Sequence, residues 1–385
     1  MITHDESRMI RDTVAKFVKR ELIPLEPLVL KRMAKGMDPI LPPEERARLE
    51  EISRDIGLWG LEAPAALGGM ELPATVMAGV FEEMATTCVP YRLPPDSPNL
   101  HMLQAVANET QRQKYLPGYC SGKLKSAIAI SEPEAGGDPA AMRTRAVKDG
   151  GQWVINGRKI WISNAADADF TIVMARVGEG KREEGITSFI VDKGTPGFIV
   201  EREIQMIAAH KTYEVVFEDC RVPESALLGE IGQGYGPMQL RLMMRRLEIG
   251  SMAVGHAQRA LDILATHALQ RVTFGVRLAD RQAIQWWIAD IATRLHASRL
   301  MIADAAARVD RGESPRNEIS MVKIFAVELA YEALDYAMQT LGALGMTMET
   351  ALYPLWQDAR LMRIYEGPTE VHRQAIARRT LRDYA

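Results

Sequence analysis

Cysteine is scarce: Cys88, Cys120 and Cys220 lie far apart in 385 residues and show no metal-ligand spacing, which leaves them as buried thiols of a reducing compartment. The seven histidines form no His-x3-His pair, so a metal centre is not expected. Neither sign of charge dominates, with 47 Lys and Arg against 50 Asp and Glu, and the electrostatic footprint of a nucleic-acid-binding protein is missing. The opening "MITHDESRMIRDTVAKFVKREL" lacks the apolar core of a signal peptide, and no uncharged apolar run approaches a membrane span. A cytoplasmic protein is the expectation. What is present is apolar substance: 47% hydrophobic residues over a length that suits two or three domains with a large core.

The chain changes texture twice. Up to residue 122 it reads as helices: "HDESRMIRDTVAKFVKREL" places Met9, Ile10, Val14, Phe17 and Val18 near helical period with Asp5 as cap, and "NETQRQKYLPGYCSG" ends in Pro-Gly punctuation. Residues 123–234 hold short alternating runs, "SAIAIS", "DFTIVMARV", "ITSFIVD" and "TYEVVFEDCRV", with Asp-Gly-Gly and Asn-Gly read as turns. Without alternating helices, this is a β-domain and not a doubly wound sheet. Residues 235–385 return to helix, with long apolar-striped segments over 237–270, 279–311 and 316–342 that predict an antiparallel bundle. The fold class is α+β and mostly α: an N-terminal helical domain, a central β-domain and a C-terminal four-helix bundle.

Five stretches carry candidate chemistry. In "AIAISEPEAGGD", a strand runs through Ile128 and Ile130 to Ser131, and Pro133 and Gly136-Gly137 then free the backbone, so the strand end can hold a polar ring or a phosphate or can be a plain loop exit. In "NGRKIWISNAADAD", Trp161 and Ser163 share strand parity on either side of Ile162, facing one ligand or covering the sheet. "RVTFGVRLADRQ" offers Arg271 for a phosphate and Gln282 for an amide or hydroxyl. "GQGYG" lacks the spacing and the βαβ context of a dinucleotide loop and reads as a flexible lead into the long helix. In "IYEGPTEVHR", the carboxylate of Glu366 stands before Gly367-Pro368 where a simple turn between helices would do.

Taken together, "SEPEAGGD", "KIWISNA", "RVTFG" with Gln282, "QTLGALG" from Gln339, and "IYEG" resemble the acyl-CoA dehydrogenase family in order and separation over nearly the whole chain. The resemblance implies FAD held without a Rossmann domain. Ile128, Ile130, Ser131, Trp161, Ile162 and Ser163 would meet the flavin. Arg271, Phe274, Gln282, Gln339 and Gly342 would reach its pyrophosphate and adenosine across a subunit interface, with Pro368 and Glu370 also at the cofactor. It implies a homo-oligomer, typically a tetramer, an acyl-CoA substrate, and an electron-transfer flavoprotein as acceptor in fatty-acid metabolism. Glu366 matches the base that removes the α-proton while the β-hydrogen leaves as hydride to the flavin. Its backbone N–H and a ribityl hydroxyl would hold the thioester oxygen, and Gly367 would permit close approach.

Three departures bear on substrate. Gly137 stands where many members have Ser, and Pro368 where many have Thr. The base position that a subset of members uses, just before an Arg matched by Arg246, holds Arg245, with Met243 where straight-chain enzymes often have Asp. Glu366 is then the one family-matched base. Arg245 and Arg92 either line the acyl pocket, favouring a polar or carboxylate-bearing acyl group or a carbonyl on a ring, or else point outward or pair with acids such as Glu248 or Asp96. Monooxygenase, nitroalkane oxidase or desulfinase chemistry on the same fold, and a non-catalytic acyl-CoA-binding relative, stand as alternatives.

Overall fold

The computed structural model describes residues 2–95, 98–180, 182–207 and 210–385, and Asp96, one of the acids weighed above, lies outside them. Among these residues six α-helices come first: α1 (His4–Phe17), α2 (Glu26–Ala34), α3 (Pro43–Asp55), α4 (Ala74–Met84), α5 (Pro98–Val106) and α6 (Glu109–Cys120). Eight strands follow: β1 (Ser126–Ala129), β2 (Arg145–Asp149), β3 (Gln152–Ser163), β4 (Phe170–Arg176), β5 (Ile186–Asp192), β6 (Phe198–Gln205), β7 (Lys211–Pro223) and β8 (Leu227–Leu228). Then come α7 (Tyr235–Gln270), a small hairpin of β9 (Val272–Thr273) and β10 (Val276–Arg277), α8 (Gln282–Asp310), α9 (Arg316–Leu341), α10 (Leu352–Met362) and α11 (Thr369–Arg382). The α+β, mostly helical class and the order helical, β, helical are as the periodicity predicts.

Contacts gather the chain into two compact units, one of Trp59–Glu71 and Leu93–Met244, the other of Met1–Leu58, Leu72–Arg92 and Arg245–Ala385. In the first, the sheet runs β6-β7-β3-β2-β4-β5-β8, with β1 added in parallel to β4. Period-2 alternation splits its side chains between two cores. Phe170, Ile172, Met174 and Ile190 join Leu100, Leu103, Tyr115 and Tyr119 of α5 and α6, while Val173, Phe189 and Val191 join Trp153, Ile155 and Phe217.

Four local expectations change. The cap of α1 is Thr3 and not Asp5: Thr3 is still extended and forms a capping box with Glu6, whereas Asp5 already lies in the first turn. Pro117-Gly118 does not end α6, which continues to Cys120 with Tyr115, Leu116, Tyr119 and Cys120 buried. A Cβ on Gly118 would meet Leu124 at 2.6 Å, so the glycine serves close packing. Asn156-Gly157 lies inside β3 at a register shift against β7, where a Cβ on Gly157 would meet Thr144 at 2.5 Å. The segment before α7 is pinned and not loose, because Gly232 N–H donates to Thr187 Oγ1 (2.9 Å) and Gly234 N–H to the Ile186 carbonyl (2.8 Å).

In the second unit α9 packs against α8, α10 and α11, and α4 against α1 and α8. The α4 N-terminus is capped from 236 residues away, the Asp310 carboxylate accepting from Ala74 N–H at 2.6 Å and from Thr75 N–H at 3.1 Å. All three thiols are free and away from open solvent, and burial pushes Cys120 and Cys220 up to about 11. Among the described residues no helix is long and apolar enough to cross a membrane, and no group of acids, histidines and cysteines could hold a metal ion.

Candidate active site

Within the sheet unit, the two stretches singled out for the flavin ring come together. Ile160 N–H donates to the Ser131 carbonyl (3.0 Å), tying the strand end after β1 to the middle of β3. Ile128, Ile130 and Ser131 are half-buried there, and Gly137, six residues on, is exposed. The β3–β7 ladder shifts register between Lys159 and Ile162, and at that irregularity Trp161 takes a left-handed backbone (φ 63°) and stays 52% exposed. Ile162 turns into the core, and Ser163 is half-buried with its Oγ 3.0 Å from His210 Nε2. An exposed aromatic, a strand interrupted in its ladder and a half-buried apolar strand end suit a flat ring system with polar edges.

Beneath this edge lies an ion pair absent from the sequence reading. Lys159 (0% exposed) donates to Glu132 Oε1 at 2.9 Å and to the Ile130 carbonyl at 3.0 Å. Glu132 also accepts the N–H groups of Arg143 (2.6 Å) and Thr144 (2.9 Å). Burial would raise the Glu132 carboxyl, but the Lys159 ammonium and these donors outweigh it and hold it below the usual range. Burial depresses Lys159 to about 8 against the pull of Glu132.

In the helical unit Glu366 occupies the turn between α10 and α11, with Pro368 as the α11 N-cap. Its backbone is left-handed (φ 56°), and so is that of Gly367 (φ 96°), where a Cβ would come within 3.0 Å of His372 Nε2. Three successive carbonyls of the turn, those of Tyr365, Glu366 and Gly367, are engaged. Arg246 Nε donates to the Glu366 carbonyl at 2.9 Å, and His372 Nε2 faces the same oxygen at 3.3 Å. Lys323, 1% exposed on α9, donates to the carbonyls of Tyr365 and Gly367 at 2.5 Å each. Burial, with the charges of Arg246 and Lys323 behind it, pushes His372 down to about 3, so a neutral ring carries its proton on Nε2 toward the carbonyl. Burial also lowers Lys323 to about 7, against the attraction of Glu366.

Arg245 is buried, ion-paired with Glu248 one turn along α7. Glu248 and weaker charges overcome burial and raise the guanidinium's proton affinity. Arg92, 51% exposed, lies 4.0 Å from the same carboxylate. Both arginines and Glu248 bear electrostatically on the Tyr365 phenol, which burial drives up. The pairing with Glu248 foreseen for these arginines is thus present, and it forms next to the turn that carries Glu366.

The remaining candidates are surface groups. Arg271 follows the end of α7, Gln282 opens α8, Gln339 and Gly342 close α9, and Glu370 lies in the first turn of α11; all are exposed. Phe274, at the tip of the β9–β10 hairpin, is 98% exposed with φ 52°. Lys323, His372, Tyr365, Lys159 and Glu132 were not singled out from sequence. A signal for the two lysines was available: Lys323 sits in the apolar stripe with Ile319, Ala326, Ala330 and Ala333, and Lys159 has the inward parity of Trp153 and Ile155.

Family models of acyl-CoA dehydrogenase domains match the N-terminal domain over residues 4–123, the middle domain over 127–220 and the C-terminal domain over 232–381. (R)-Benzylsuccinyl-CoA dehydrogenase of Thauera aromatica is 37% identical over a 391-residue alignment that covers 98% of this chain and 96% of the relative. The mitochondrial short-chain specific acyl-CoA dehydrogenase of Rattus norvegicus is 32% identical over 382 residues, 98% of this chain and 90% of the relative. Among solved structures, a glutaryl-coenzyme A dehydrogenase in complex with glutaryl-CoA matches with a TM-score of 0.89 at 27% identity, covering 99% of this chain and 96% of the other.

Proposed function

The chain belongs to the acyl-CoA dehydrogenase family, and from that premise we propose that it is an FAD-dependent dehydrogenase acting on the Cα–Cβ bond of an acyl-CoA whose acyl group carries a free carboxylate. Glu366 is the base. The observation that carries this role is the turn itself, a carboxylate on a left-handed backbone whose carbonyl is gripped by Arg246. Such a fixed frame holds a base within reach of one carbon and spares the reaction the entropy of ordering it. A thioester α-proton is weakly acidic, and the Glu366 N–H is the donor that family similarity assigns to the developing enolate oxygen.

FAD, when bound, supplies the acceptor for the β-hydrogen. Ile128, Ile130, Ser131, Trp161 and Ser163 would hold its ring, with Ile162 contributing backbone only, since its side chain is buried. Arg271, Phe274, Gln282, Gln339, Gly342 and Glu370 would serve the adenosine end in a homo-oligomer, with Pro368 also at the cofactor. Their exposure on a single protomer is consistent with service to a neighbour. An electron-transfer flavoprotein is the proposed acceptor, with a tetramer and a cytoplasmic site as the proposed setting. Glycine at 137 brings no hydroxyl of its own to the cofactor or the substrate.

The carboxylate preference rests on charge. Two guanidiniums, Arg245 and Arg92, share the single Glu248 carboxylate, and the buried partner is Arg245. Arg92, half-exposed and 4.0 Å away, gives up little by turning to a substrate anion. The relative at 37% identity is named for a succinyl thioester, which keeps one free carboxylate, and that name supports the same class. The test is anaerobic bleaching of the flavin by benzylsuccinyl-, glutaryl-, butyryl- and isobutyryl-CoA, in the parent and in Arg92→Ala. The expected result is preference for a dicarboxylic thioester, with KM raised roughly tenfold or more by the substitution, as for loss of a charged contact. Best reduction by butyryl-CoA, unaffected by Arg92→Ala, removes the carboxylate class and leaves both arginines structural.

A further inference from the structure

A lysine in the apolar stripe of a buried helix needs a reason, since an ammonium removed from water is costly unless its protons and charge are met. Lys323 projects from the middle of α9 between Ile319, Val322, Ala326 and Val327, all at most 2% exposed. Its Nζ goes to two acceptors, the carbonyls of Tyr365 and Gly367, which bracket Glu366 on either side. The intervening carbonyl, that of Glu366, is taken by Arg246 and His372. Three successive carbonyls in a turn with two left-handed residues are therefore fixed from α7, α9 and α11 at once.

We propose that Lys323 is the positioning residue of the base: its two hydrogen bonds hold the peptide frame around Glu366, and its charge favours the ionised carboxylate. The inference rests on the reading of Glu366 as base. Ile364 and Tyr365 still bond back to the Leu361 carbonyl, but Glu366 and Gly367 lie outside both helices, and a non-glycine residue with φ 56° persists only where its surroundings over-determine it. Lys323 supplies that determination from a rigid helix. The electrostatic half follows from what surrounds the carboxylate. The charges of Lys323 from α9 and Arg245 from α7 bear on the Glu366 carboxyl, while Arg246 from α7 and a neutral His372 from α11 meet its backbone carbonyl. Arg245 is already matched by Glu248, and Arg246 is committed to the backbone oxygen. Lys323 has no carboxylate partner other than Glu366 among its charge interactions.

Two variants separate frame from charge. Lys323→Met keeps the volume and removes both; Lys323→Gln keeps a neutral donor for one carbonyl. Each is purified with FAD, and its flavin reduction is followed anaerobically across pH with the best thioester of the panel above. Lys323→Met should lower the plateau rate by about 10- to 100-fold, the scale of a misplaced reacting group, and move the acid limb up by roughly one pH unit or more. Lys323→Gln should recover part of the plateau and leave the limb displaced. Parent-like limbs in both variants overturn the proposal, as does failure of both to fold with FAD, which would make the lysine a piece of scaffolding only. Glu366→Gln, run alongside, should keep its flavin and lose roughly 10²- to 10⁴-fold in rate. Near-parent bleaching there sinks the base assignment, whatever the lysine variants do.

Discussion

Replacing Glu132 with Gln would leave the fully buried Lys159 without its counter-charge, and the size of the effect can be worked out in advance. The amide presents one oxygen to a pocket in which the N–H groups of Arg143 and Thr144 and the Lys159 ammonium all donate, and its NH2 faces another donor. Breaking one side of a buried pair costs about 3–5 kcal/mol. The lysine can escape by giving up its proton. Carrying it neutral at pH 7, when the unfolded chain would hold that proton up to the ordinary value of 10.5, costs about 1.4 kcal/mol for each of roughly 3.5 units, or about 5 kcal/mol at most. The two routes agree. In the parent, Lys159 titrates at about 8 when folded, below its unfolded value, so this group contributes no slope below pH 8 and stability rises with pH from about 8 to 10.5. Glu132 is ionised throughout that range in both states, because its folded value is lowered, and it adds stability lost only as pH falls below the carboxylate range. In the variant the lysine is already neutral at pH 7, so the upward slope starts lower. The deficit should therefore shrink by about 1 kcal/mol between pH 7 and pH 8 and stay constant above. Guanidinium unfolding of FAD-saturated protein, followed by tryptophan fluorescence at pH 7, 8 and 9, measures it. A deficit below about 1 kcal/mol at pH 7, or one that does not change with pH, would refute the reasoning.

Two further substitutions read other parts of the structure. Arg271→Ala should lower FAD retention in proportion to subunit dissociation, measured by flavin absorbance across a gel-filtration peak. A monomer with full flavin occupancy would contradict the shared site. Arg245→Ala leaves the buried Glu248 only the half-exposed Arg92 at 4.0 Å and should destabilise the protein by up to about 3–5 kcal/mol, whereas Arg245→Met with Glu248→Leu should cost far less; denaturant midpoints of the two decide whether the pair is structural.

The long helices were legible because their apolar stripes are local: the segment expected over 316–342 is observed as Arg316–Leu341. The sheet was legible for the same reason at period 2. What escaped depends on partners distant in sequence. The α4 cap comes from Asp310, and no rule of spacing connects it to Ala74. Asn156-Gly157 carries the composition of a turn, yet β7 and Thr144 on either side make it a strand irregularity. At the candidate site the familiar wording around Glu366, Trp161 and Ser131 was readable one stretch at a time. The groups that hold those stretches, Lys323 and Lys159, sit at positions whose pattern marks them as inward, but nothing in a neighbourhood of ten residues says that their nitrogens reach backbone carbonyls 42 and 29 residues away.

The left-handed backbone at residue 366 also constrains what evolution can do with the position. A glutamate there bears a steric cost of about 1–2 kcal/mol that glycine would not, asparagine or aspartate would bear less of it, and a β-branched residue would fare worst. One nucleotide change turns a glutamate codon into glycine. A gene copy released from selection for the reaction therefore has, at this one codon, a step that removes the base and relaxes the chain together. Descendants of such a copy would keep the fold and the cofactor pocket, freed of the backbone strain at residue 366 but with the buried Lys323 ammonium left without its carboxylate.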